Sequence, residues 1–328
     1  MAKRSEAIDV LKGILIILVV IGHAKNGIVH DVIFLFHMPA FFMVSGVLVD
    51  SDKLVSKGYI CKKILRLMIP YTTYLFLDML LIRKDYSIYM LWGGRAIPGV
   101  YWYITCYLFA LYILSLSLKI FSERTVKSII LVGGGIAILE SNLIDKMPIL
   151  QYPGVPGDLD VSLLALVYIG VGFFYKKILF ELLYMKSKTC DIGAGCIIIS
   201  FVIVGFLVYK FGNGYYYLDM KTVFYENVFA GLIVPIIAGA LLCRITYWLL
   251  KTKHISIIIK TLKYCGQISI PIMFMHIPLN YLAGNVNQRY LLYTVIGIGF
   301  PALFSLVFNR NKIARILFGI PDFKNMQG

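Results

Sequence analysis

Three imidazoles, groups that can take up and release a proton near neutral pH, stand inside apolar stretches of this chain: His23, His37 and His276. The first shares its run with Asp9 and Lys12. At 100° per residue, the eleven steps from Lys12 to His23 return to within about 20° of the starting direction, and the fourteen from Asp9 to within about 40°. A helix over this run therefore carries Asp9, Lys12 and His23 on one face, with His23 roughly 16 Å beyond Lys12 along the axis. His37 lies in the stretch Phe36-His37-Met38-Pro39-Ala40-Phe41-Phe42-Met43-Val44-Ser45-Gly46. Pro39 suits the first turn of a helix, which sets His37 at its outer mouth, at a depth similar to His23. Two histidines facing one cavity make an acid/base pair, able to accept a proton from a hydroxyl and pass it on. Bland readings stand beside this one. Asp9 and Lys12 fit an i,i+3 ion pair at the inner interface, and His23 fits a helix end with ordinary hydrogen bonds. His276, in Met273-Phe-Met-His276-Ile-Pro278, fits packing and a site equally well. Asp78 and Glu140 fit hydrogen bonds between helices best.

Other chemistries find less support. No histidines stand four apart and no acid neighbours His23 or His37, so no metal is expected. There is no GxSxG, no P-loop and no GxGxxG for hydrolase or nucleotide chemistry.

The elements that must position these residues are membrane helices. Of the 328 residues, 59% are hydrophobic and 15% charged, against about 45–50% and about 25% in soluble domains. The mean hydropathy is +0.81. Ten runs approach the roughly 20 apolar residues needed to cross a bilayer: 8–25, 31–49, 64–82, 101–119, 127–143, 159–175, 191–210, 224–243, 266–284 and 290–308. Of the 32 Lys and Arg residues, 23 fall in the gaps, or at the run ends beside them, on the N-terminal side of the membrane, eight on the other side and Lys12 within the first run. Basic residues concentrate on the cytosolic face, so both termini are expected there. The net charge of +15 then fits contact with anionic lipids rather than nucleic acid. The N-terminal run holds Asp9, Lys12 and His23 and has no small-residue cleavage site, so it reads as a retained span rather than a signal peptide. The six scattered cysteines contain no CxxC and read as reduced packing residues. The outer segments near 144–158 and 211–223 are rich in Pro, Gly and Tyr, suiting an interfacial aromatic belt or a platform for a sugar ring. The expectation is one all-α polytopic bundle of about ten transmembrane helices over residues 1–328. No stretch is left for a separate catalytic domain, so any chemistry belongs in the bundle.

Several of these motifs resemble the membrane acyltransferase-3 family. Ile8-Asp9-Val10-Leu11-Lys12-Gly13-Ile14, running on to His23, is similar to its opening, whose mark is Arg or Lys, ten residues, then His. His37-Met-Pro-Ala-Phe-Phe-Met-Val-Ser45-Gly46 resembles its second-span motif, in the form of the fucose 4-O-acetylase-like branch. Lys62-Lys63-Ile-Leu-Arg66-Leu-Met-Ile-Pro70-Tyr71, Tyr101-Trp102-Tyr103-Ile104 and Ser269-Ile-Pro-Ile-Met-Phe-Met-His276 resemble its later segments.

The resemblance implies O-acylation, usually O-acetylation, of a hydroxyl on a bacterial surface polysaccharide or its lipid-linked precursor, in the cytoplasmic membrane. Acetyl-CoA or another acyl-CoA from the cytosol would be the donor, with no metal. Lys12, Lys62, Lys63 and Arg66 would hold its phosphates. His23 would accept the acyl group or take the proton from the sugar hydroxyl, with His37 as its partner. Asp9, Ser45, Trp102 and His276 would support the substrate or the site. The usual Arg is here Lys12, which keeps the charge and loses the bidentate fork. The rival readings are a glycan transporter or flippase without acyl transfer, and a non-catalytic membrane scaffold; no internal repeat of the kind common in transporters is present.

Lys12 yields a first prediction. Lys12→Ala should lower acyl transfer by about tenfold or more, the cost of a lost charge-assisted contact, and Lys12→Arg far less. Acyl transfer assayed in membranes bearing each variant checks this; a harmless Lys12→Ala beside an inactive Asp9→Ala would make Asp9 the working member of the stripe.

Overall fold

A computed structural model of the chain describes residues 6–25, 27–56, 58–82, 92, 94–143, 146, 154–211, 218–225, 228–284 and 289–323. The sugar-platform candidates Gln151-Tyr-Pro and Gly214-Tyr-Tyr-Tyr lie outside these residues. Each of the ten apolar runs has a helix over most of its length, and the strands among the described residues are one short antiparallel pair, Leu218–Asp219 with Phe224–Tyr225, the latter at the start of the run 224–243. The protein is an all-α, multi-pass membrane protein. Among the described residues six helices are long and apolar enough to cross a bilayer, or up to eight if each of two bent pairs is one span. Lys176–Tyr184 and Lys188–Val204 meet at 96°, and Lys253–Gln267 and Ser269–Leu282 at 84°. The two other runs form Glu6–Gly22 and Glu123–Ser141. The first has 17 residues, and both carry three or more charged side chains, so neither counts by length and apolarity alone.

The bends have local causes. The run expected at 31–49 divides into Ile28–Phe34 and His37–Val47. Pro39 has no N–H to give the carbonyl of Leu35, and its ring would strike that carbonyl in a continuous helix. The chain steps out at Phe36 (φ −141, ψ −20) and restarts at His37. At the 96° bend, the carbonyls of Leu182, Met185 and Ser187 accept hydrogen bonds from the fully buried Arg244, at 3.3, 2.7 and 3.1 Å. Arg244 Nε also donates to Asp191 at 2.7 Å. One guanidinium thus satisfies carbonyls that hydrocarbon would leave bare.

Glu6–Gly22 lies at the centre of the bundle. Its buried residues run around the whole helix, as expected for a helix enclosed on all sides. It packs most extensively on Ser256–Gln267. There a Cβ on Gly13 would collide with the backbone of Leu262, and one on Gly266 with the carbonyl of Asp9. His37–Val47 crosses Leu159–Phe174 in the same way: a Cβ on Gly46 would meet the carbonyl of Ile169, and one on Gly172 the carbonyl of Met43. Small residues let membrane helices approach backbone to backbone, where dispersion substitutes for the hydrophobic effect. Large apolar side chains such as Leu131, Leu291 and Leu303 point outward, as a surface facing lipid requires.

These crossings predict a graded response. Gly46→Ala and Gly172→Ala should destabilise the detergent-solubilised protein by about 1–3 kcal/mol through overpacking. Gly135→Ala, where a Cβ meets nothing within 4 Å, should be neutral or slightly stabilising. Thermal-melt size-exclusion profiles of the three variants check the order.

Candidate active site

One cavity of about 970 Å³ opens between the first helix, His37–Val47, Tyr59–Ile82, Trp102–Ile120 and the Leu218–Tyr225 hairpin. Asp9, Lys12, His23, His37, Ser45, Lys63, Arg66 and Trp102 all line it. Lys62 does not; it is exposed beside Lys63. His276 does not either; it is buried behind His23. The stripe foreseen on the first helix therefore faces a cavity along its whole length.

The histidines are held alike. Nδ1 of His23 lies 2.8 Å from the carbonyl of Val19, Nδ1 of His37 2.8 Å from that of Ile33, and Nδ1 of His276 3.0 Å from that of Ile272. A carbonyl only accepts, so each Nδ1 carries the proton and each neutral ring keeps its lone pair on Nε2. In each case the acceptor lies four residues back, one helical turn. This is the tautomer a general base or nucleophile needs. Phe34 gathers the rings, with its centroid 5.3 Å from His23, 4.7 Å from His37 and 3.8 Å from His30. His30, which sequence reasoning missed, bonds the carbonyl of Gly22 through Nδ1 at 2.7 Å and so ties the loop after the first helix back onto it. His276 meets His23 edge-on at 5.1 Å, and its Nε2 is buried with no hydrogen-bond partner among the described residues.

Away from the histidines the wall is basic. Lys12, Lys63, Arg66 and Lys176 line the cavity with Asp9 and Asp50. The Lys63 ammonium reaches over the Tyr107 ring, 5.6 Å from its centroid, an attraction that steadies a cation away from bulk water. Gln267 Nε2 donates to Asp9 Oδ2 at 3.1 Å. Ser45 and Tyr103 both line the cavity, and Trp102 packs edge-on against Phe42. Lys176, Asp219 and Lys221 join the lining only through tertiary structure. In the sequence Lys176 counts only towards membrane sidedness, while Asp219 and Lys221 lie in the 211–223 segment that suits an aromatic belt or a sugar platform, with no reading of their own. Asp78 accepts a hydrogen bond from Tyr101 and so links two helices, Glu140 is buried with one carboxylate oxygen unpartnered among the described residues, and neither acid lines the cavity.

Residues 5–310 match the family model described as an acyltransferase domain. The chain belongs to the acyltransferase-3 family, and it is a membrane acyltransferase. No curated protein matches it in sequence.

The lining separates two neighbouring lysines. Lys63→Met and Arg66→Met should each reduce acyl transfer about tenfold or more, as loss of a charge-assisted contact does. Lys62→Met should change it by no more than about twofold, being an exposed charge. Initial rates of purified variants decide the matter.

Proposed function

We propose that this protein transfers an acyl group, acetyl in the simplest case, from cytosolic acyl-CoA to a hydroxyl of a bacterial surface polysaccharide or its lipid-linked precursor. It does so in the cytoplasmic membrane with both termini cytosolic, and it falls in the fucose 4-O-acetylase-like branch. The observation that carries this reading is the cavity that joins the cations Lys12, Lys63 and Arg66 to His23 and His37. An anionic donor and a proton-accepting group are thereby offered to the same enclosed space, roughly 16 Å apart along the first helix.

The CoA phosphates would be met by Lys12, Lys63 and Arg66, with Lys62 at the surface nearby. The pantetheine arm extends along Tyr103 and Ser45 and brings the thioester carbonyl to the histidines. His23 Nε2 takes the proton of the acceptor hydroxyl as its oxygen attacks that carbonyl. The C–O bond forms, the C–S bond breaks, and the proton passes from His23 to the leaving thiolate, giving the ester and free CoA. His37 orients the acceptor or shares the proton. Transfer is direct, without an acyl-histidine intermediate.

His23 tests the reading. His23→Ala should lower transfer by about 10²–10⁴-fold, the usual contribution of a general base, with protein level and topology unchanged. CoA release by purified protein, with O-acetyl signals in surface glycan by NMR, reads the outcome, and cysteine labelling reads topology. Near-normal acylation in His23→Ala would overturn the mechanism. A wild-type protein that moves glycan without releasing CoA would point to a transporter.

A further inference from the structure

The wall of the cavity that holds His23 includes residues 218–221 of the hairpin Leu218–Asp219 and Phe224–Tyr225, which sequence reasoning did not foresee. Leu218, Met220, Val223 and Tyr225 are buried, so this is an inserted element. Tyr225 N–H donates to Ser141 Oγ at 3.1 Å and Lys221 Nζ to the carbonyl of Gly99 at 3.0 Å. Val223 sits at φ 57, an outlier for a β-branched residue, which persists only when the surroundings over-determine it. The turn is built to hold its side chains in one place.

Two of those side chains, Asp219 and Lys221, face the cavity. Asp219 Oδ1 accepts from the Lys221 N–H at 2.9 Å. An ammonium has three donors; Lys221 gives one to Gly99, leaving two for the cavity. Both line the same cavity as the His23 imidazole. Burial pushes the Lys221 ammonium below its ordinary range, the mark of a cation withdrawn from water. A carboxylate that only accepts, beside an ammonium that only donates, is a matched pair for a hydroxyl, which does both. The charge balance points the same way. The basic part of the cavity brings four cations and two acids and suits an anion, whereas this part brings one of each and suits a neutral polyol.

We propose that Asp219 and Lys221 bind an uncharged saccharide acceptor through a free hydroxyl next to the one that is acylated, and so determine which sugar is presented to His23. This rests on the acyl-transfer reading above and supplies its acceptor class.

The test places wild type, Asp219→Asn, Lys221→Met and His23→Ala in a host whose own gene is deleted. Two rates are compared: O-acetylation of surface glycan, by NMR, and acceptor-independent CoA release from acetyl-CoA by each purified full-length protein. Asp219→Asn keeps an oxygen for the turn, so the fold is retained and checked by size exclusion. Expected is a loss of glycan O-acetylation in Asp219→Asn and Lys221→Met about tenfold or more beyond any loss of CoA release, with His23→Ala losing both. The wild-type O-acetyl groups should lie on uncharged residues with an adjacent free hydroxyl. Equal losses in the two assays, no loss in either, or O-acetyl groups confined to uronic acid residues would overturn the proposal. Wild-type protein that releases no CoA and leaves the glycan as in the deletion strain would overturn the acyl-transfer reading, and the role of the hairpin with it.

Discussion

The close approach of Glu6–Gly22 to Ser256–Gln267, backbone against backbone at Gly13 and Gly266, is the contact on which the site depends. It sets both the depth and the rotation of the helix that carries Asp9, Lys12 and His23. With that rotation, Gln267 reaches Asp9 and the stripe faces the cavity. A turn of a few tens of degrees would carry Lys12 into packed side chains, where an ammonium is costly without partners. The crossing of Gly46 with Gly172 does the same for His37 and Ser45 on the opposite wall.

A second constraint follows from the first. Once imidazoles are enclosed among helices, each polar atom must find a partner inside the bundle. The helix backbone supplies it: carbonyls one turn back hold Nδ1 of His23, His37 and His276. The break caused by Pro39 belongs to this arrangement, because it frees the geometry in which His37 turns back onto Ile33. The same bonds that satisfy the rings also choose their tautomer, so stability and chemistry draw on one set of contacts.

The remaining buried charges stiffen the frame around the cavity. Arg95 pairs with Asp160 and gives its N–H to Asp158 at 3.0 Å, which pins the segment leading to Gly99. Gly99 in turn receives Lys221. Arg244, with Asp191 and three carbonyls, holds the 96° bend that follows Tyr184, at the far end of the helix that begins with the cavity-lining Lys176. Ion pairs thus fasten segments around the cavity, while glycine fastens the helices along its sides.

The apolar runs and their helical period were readable from the residues alone, because lipid imposes one requirement on every crossing segment: satisfy the backbone internally. So was the shared face of Asp9, Lys12 and His23, since 3.6 residues per turn is a property of the helix and not of its surroundings. The adjacency of His23 and His37 also followed from depth, and Phe34 now joins them. What the sequence left open was decided by contacts between residues far apart in the chain. The helix Ser269–Leu282 lines the cavity through Ser269, Ile270, Met273 and Ile277, but its rotation sets His276 behind His23 and outside the lining. Lys63 turns inward over Tyr107 while Lys62 turns out, a difference of one residue and so of 100° that only a neighbouring helix gives meaning. Asp219 and Lys221 were legible only as part of the outer segment 211–223, and became part of the site through a hairpin whose position depends on Ser141 and Gly99. Local periodicity sets which residues share a face; only tertiary packing sets what that face meets.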